Sequence, residues 1–242
     1  MLMSLGMSTR YIDLISAYCD RWCERCAFTS RCSAFAAEVA IAMCGDVEEG
    51  LELAVGLPAD VKSGPAVPPA AEWLADFDNA EPTPEESAQW QREEDARRAR
   101  VDADPVVKLA WSVAALAHNW LAAHAAAMKL SADPVLAEAL TVAVHDSALI
   151  TVKLNRAVYG RNCFEEDDCD DESLVQNDWN GSAKLALLCL ARSIAAWNVI
   201  AQASRDAESS DIAAQLDALR SDVERAFPSA YAFVRPGFDE CG

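Results

Sequence analysis

The sequence of 242 residues predicts an all-α protein. Alanine is abundant while glycine is sparse, and β-branched runs are short. Long windows repeat apolar residues at helical spacing, and none sustains the alternation of a half-buried strand. Within that class the spacing predicts a bundle of four long helices with a cysteine-rich helical hairpin packed on it. Three stretches follow: a cysteine-rich, metal-binding helical segment over 1–57, a proline-rich linker packed on the surface over 58–82, and the bundle over 83–242.

Ile12, Ile15, Cys19, Cys23 and Cys26 form one stripe at helical spacing, which predicts a first helix over Thr9–Cys26. Thr29 or Ser30 then caps a second helix towards Cys44, and Gly45 stops it. A short third helix spans Val47–Val55 before Gly56 and Pro58. The linker holds Pro58, Pro65, Pro68, Pro69 and Pro82 with little periodicity, while Trp73, Leu74 and Phe77 favour packing over the body. Thr83-Pro84-Glu85-Glu86 reads as a capping box that opens a charged helix to about Arg100.

The four long windows come next. Pro105–Leu130 is apolar almost all round, which predicts a central position. Asp133-Pro134 opens the second, with Gly160 as its stop after Tyr159. The third covers Asn180–Ser204. The fourth carries Ile212, Leu216, Leu219, Val223 and Phe227 in register and ends before Pro228. An acidic loop over 161–177 and a C-terminal tail with Tyr231, Phe233 and Phe238, expected to dock as a strap, complete the chain.

Charge narrows the function. There are 39 Asp and Glu against 20 Lys and Arg, a net charge of −19. Such an excess opposes sequence-independent nucleic-acid binding and adhesion to anionic membranes. The uncharged stretch Leu109–Met128 has the length of a membrane span, but Ser112, His118, Asn119 and His124 interrupt it, so a helix buried in a soluble bundle is expected. No secretory signal is read at the start, which predicts a cytoplasmic protein. In a reducing compartment, clustered thiols point to metal or redox chemistry more than to disulfides.

Four of the nine cysteines fall in Cys19-Asp-Arg-Trp-Cys23-Glu-Arg-Cys26-Ala-Phe-Thr-Ser-Arg-Cys32. On a helix, Cys23 lies about 40° and Cys26 about −20° from Cys19, so three thiols share a face and Cys32 returns to complete a four-sulfur set. Four thiolates satisfy either tetrahedral zinc or the iron corners of a 4Fe-4S cluster. Crowding of the ligands favours the iron–sulfur cluster, with zinc as the alternative, although C-x₃-C-x₂-C-x₅-C is not the ferredoxin spacing. The first three cysteines share the C-x₃-C-x₂-C of radical enzymes that use S-adenosylmethionine, but the barrel those enzymes need is not in evidence. Arg21, Arg25 and Arg31 offset thiolate charge, and Trp22 and Phe28 shield it. The competing reading is that these cysteines are small core hydrophobes extending the Ile12–Ile15 stripe, or that they pair as a disulfide.

Other constellations are weaker. Cys163 and Cys169 flank carboxylates in the acidic loop, a pattern that more often marks a solvated segment than a second metal site. Glu138, His145 and Arg156 share one face of the second long helix, and Lys184 and Arg192 enter the apolar third. These groups fit either a polar pocket for an anion or buried ion pairs and caps. Cys44, Cys189 and Cys241 acquire no role. Neither a substrate nor an oligomeric state is legible, and a protein partner is compatible with the charge.

On these residues the chain resembles an uncharacterised bacterial family of all-helical proteins. The matching pieces are Cys19–Cys26 with Phe28-Thr29 and Arg31-Cys32, then Asn180-Gly-Ser-Ala-Lys184, and the closing Phe227–Glu240. The resemblance implies that these segments belong together in one protein and assigns no catalytic role. The functional expectation is thus a metal-binding helical protein serving electron transfer, redox sensing or cofactor delivery. Its alternatives are a scaffold with structural zinc and an enzyme that uses the polar pocket.

Overall fold

The structure, a computed structural model, describes residues 11–56, 82–129, 133–166 and 175–240. Every regular element among them is helical, as the spacing predicts. The Pro58–Pro69 prolines, Trp73, Leu74, Phe77 and Cys169 lie outside the described residues. Two compact units emerge: Met1–Arg92 together with Pro236–Gly242, and Glu93–Arg235.

In the first unit, α1 (Ser33–Cys44) and α2 (Val47–Val55) form a hairpin. Gly45 ends α1 at φ 74°, a left-handed conformation that glycine adopts without strain. Asp46 caps α2 by accepting the Glu49 N–H at 2.9 Å. The helices touch at Gly50, where a Cβ would sit 2.5 Å from Ile41 Cα, so no other residue fits.

Of the helix expected over Thr9–Cys26, the described part, residues 11–26, does not form. Short 3₁₀ turns stand there instead, at Ile15–Tyr18, Cys23–Arg25 and Thr29–Arg31. Leu14 and Arg21 both take φ 58°, which no right-handed helix tolerates. The chain doubles back, and the Ile12 N–H donates to Arg31 O at 2.9 Å. Ile15, Tyr18 and Trp22 are buried by this folding. The cap of α1 is accordingly Cys32 and not Thr29 or Ser30.

The second unit continues α3 (Pro84–Ala103), whose residues 84–92 fall in the first unit, through α4 (Pro105–Lys129), α5 (Pro134–Glu166), α6 (Asp178–Ser204) and α7 (Ala207–Ala226). The capping box forms as expected: Thr83 Oγ1 accepts the Glu86 N–H at 3.2 Å while Glu86 Oε2 accepts the Thr83 N–H at 2.8 Å. α5 packs on α6, α6 on α7, and α4 on both α5 and α7. Leu140, Leu154, Leu190, Trp197, Ile200 and Leu219 fill the space between them.

Two expectations are corrected here. α4 is not the central helix, because its outer side is alanine with Trp111 54% exposed; alanines raise the apolar count but bury little area. α6 takes the inner position, with residues 180–183 and 185–187 all buried. Gly160 does not end α5, which runs on to Glu166 with Trp179 packed beside that glycine. By length and composition alone, Pro105–Met128, Pro134–Cys163 and Asp178–Ser204 are each apolar enough to cross a membrane.

Candidate metal centre

The turns in the first unit bring Cys19, Cys23, Cys26 and Cys32 onto the wall of one small cavity of about 20 Å³. Ile15, Trp22, Thr29, Phe35 and Phe238 complete its lining along with Asp20 and Arg21. Loop reversals thus replace the expected common helix face, and they place the four thiols on one cavity wall.

Each turn leaves donors for sulfur. The Phe28 N–H donates to Cys26 Sγ at 3.4 Å and the Phe35 N–H to Cys32 Sγ at 3.5 Å. Cys32 is the N-cap of α1, so the bond from Phe35 also satisfies a donor of the first helical turn. Cys19 is fixed by donating its thiol hydrogen to Ser16 O at 3.5 Å. The Arg25 guanidinium lies 3.8 Å from the Trp22 ring centroid, placing positive charge beside the loop.

Cys23 feels the others. Burial pushes its thiol up, and Cys19, Glu38, Cys26 and Cys32 add to the shift because like charges cannot accumulate there. Among the described residues, no three His, Cys, Asp or Glu side chains already stand as a ready coordination set. The thiols share a cavity without closing on a point.

The C-terminal segment is the part of this site that sequence reasoning missed. Phe238 packs edge-on against Phe28, ring centroids 5.0 Å apart, and its ring walls the thiol cavity. Gly237 sits at φ 76°, and a Cβ there would lie 2.9 Å from Ile12 Cδ1. The Gly237 N–H donates to Glu240 Oε2 at 3.2 Å. A tail expected to strap the bundle therefore divides: Phe233 and Val234 belong to the helical unit, while Gly237 and Phe238 build the cysteine unit.

The polar groups of the helical unit do not converge on one pocket. Arg192 grips the fully buried Asp146 through Nε at 2.8 Å and a terminal nitrogen at 2.6 Å, and His145 Nδ1 lies 2.9 Å from the same carboxylate. Lys184 Nζ donates to Phe233 O at 2.5 Å. Arg156 pairs with Asp178 at the start of α6, whose cap is Asn177. These are ion pairs and a backbone clasp, the structural alternative of the two readings. His124 bonds Trp120 O and stacks on its ring, and His118 is exposed. Comparison with protein-family models, curated proteins and solved structures gives no match to this chain.

Proposed function

We propose that this is a metal-binding protein whose ligands are Cys19, Cys23, Cys26 and Cys32, holding an iron–sulfur cluster that serves electron transfer, redox sensing or cofactor delivery. The single observation that supports it is the convergence of four thiols on one aromatic-walled cavity, two of them accepting backbone N–H groups. Donors to sulfur and partial exclusion of water are the features by which proteins tune cluster potential. Loading contracts the set by side-chain rotation. In this reading the cysteine-rich unit holds the metal and α4–α7 form a separate helical unit, in the cytoplasm.

A second reading has one observation in its favour. A space of about 20 Å³ suits a single ion, so tetrahedral zinc stapling the turns is the alternative. One experiment separates them. Protein purified without oxygen is expected to be brown, absorbing broadly near about 400 nm, with iron and sulfide in equal amounts. Colourless protein with one equivalent of zinc selects the second reading. Cys23→Ser abolishes metal content under both; retention of metal by that variant removes the ligand assignment.

A further inference from the structure

Cys23 faces two spaces. Besides the thiol cavity it lines an open cleft of about 590 Å³, together with Arg21, Glu24, Phe35, Glu38, Val39 and Ala42. Phe35, Val39 and Ala42 recur at i, i+4 and i+7 along α1, so the floor of the cleft is one apolar helix ridge. That ridge continues in Met43, which is 76% exposed, and Val39 is itself 41% exposed. Large apolar side chains left open on one face of a short helix mark a surface awaiting a partner.

The charge around the cleft says which chemistry fits. Glu24 and Glu38 are exposed and have no cationic partner among the described residues, and Arg21 is the lining's one cation. Over residues 33–56 the sequence holds Glu38, Asp46, Glu48, Glu49 and Glu52 with no lysine or arginine. An apolar ridge in an acidic surround is complementary to an amphipathic helix with a basic polar face, seated in the manner of a helix in a groove. It repels anionic membranes and nucleic acid.

We infer that the cleft along α1 is the docking site for a basic amphipathic helix of a partner protein, which it seats beside Cys23. That this contact serves exchange with a metal rests on the reading above; the surface itself does not.

A dye-labelled amphipathic peptide of leucine and lysine, its leucines at helical spacing, tests this by fluorescence anisotropy on the full chain. A leucine–glutamate peptide is the sign control. The leucine–lysine peptide is expected to bind and the other not. Val39→Glu is decisive because it adds negative charge while destroying the ridge. It is expected to weaken binding about tenfold or more, as is Glu38→Lys, whereas Glu85→Lys at the start of α3 changes it less than about twofold. Unchanged binding by Val39→Glu, or equal effects of Glu38→Lys and Glu85→Lys, would mean mere attraction to an acidic protein and overturn the proposal. So would the absence of binding, or a dimer that Val39→Glu dissociates, since the occupant is then a second copy. Metal content measured on the same samples keeps the two readings apart: peptide binding by metal-free protein sustains the docking site and removes the metal, and the reverse result removes the docking site alone.

Discussion

The helical unit and the cysteine unit are stabilised in opposite ways. In Glu93–Arg235 the four long helices enclose Trp120, Trp197, Leu140, Leu154, Leu190 and Ile200, all essentially inaccessible, and the hydrophobic effect suffices. In the cysteine unit the buried apolar side chains among the described residues are Ile15, Tyr18, Trp22, Ala40 and Ala54. Two of those five are alanines, so the described residues of this unit bury far less apolar area than the helices do. The difference teaches that the two units should answer to different perturbations: packing governs the helical one, and under the proposed function closure of the thiol set governs the other.

Metal removal separates them most sharply. Four-thiolate sites in small domains contribute on the order of 10 kcal/mol to folding. Chelation or Cys23→Ser is therefore expected to abolish amide-exchange protection in α1 and α2 while α4–α7 keep theirs. Uniform loss across both units, or none in either, would break the contrast.

The helical unit has its own weak point in Asp146, which has no exposure and depends on Arg192 and His145. Asp146→Asn is expected to cost about 3 kcal/mol, at the lower end for a broken buried pair because the Arg192 side chain is one-third exposed. The double change Asp146→Leu with Arg192→Met costs less, since no charge is left stranded. Thermal unfolding of the single and double variants reads this directly, and metal content stays constant in both. An Asp146→Asn protein with unaltered melting would show that the pair is dispensable.

The contrast also explains what was legible in the sequence. Caps and periodicity located α2, α3 and α7 because those signals are local: Gly45 and Gly56, Thr83 with Glu86, and the stop before Pro228. The same rules placed a helix over Cys19–Cys26, where the stripe is real but Leu14 and Arg21 adopt left-handed backbone that no side-chain type announces. The four thiols line one cavity despite that error, because spacing within a short segment limits how far they can separate. Phe238 was not legible as part of the site, for it stands more than two hundred residues from Phe28 and nothing local ties an aromatic tail to a cysteine loop. Gly160 misled for the converse reason: a lone glycine resembles a helix stop, yet helix-to-helix packing against Trp179 carried α5 through it.

Gly237 tests that tail. Alanine there meets Ile12 and Ile15 and must hold φ 76°, a combined strain of roughly 1–3 kcal/mol. Gly237→Ala is expected to weaken metal retention against a competing chelator while the melting of α4–α7 is unchanged. Retention equal to the parent protein would detach Phe238 from the site.

The smallest effect lies at the first turn of α3, within the cysteine unit. Glu86 accepts the Thr83 N–H and hydroxyl, and those bonds hold its carboxyl below the usual range. A carboxylate whose folded pKa is depressed contributes stability that is fully present above its unfolded value, near about 4.3, and that is lost as pH falls through the folded one. The cap therefore stays closed at neutral pH and opens only in acid. The Thr83 amide resonance is expected to titrate with a midpoint below about 4.3. Glu86→Gln keeps an acceptor at the same place but no titrating group, so its Thr83 resonance stays flat over that range. A midpoint at the ordinary glutamate value would show that the reciprocal bonds do not persist in solution. A curve shared by both proteins would assign the titration to another carboxylate of this acidic turn, of which Glu85 is the nearest.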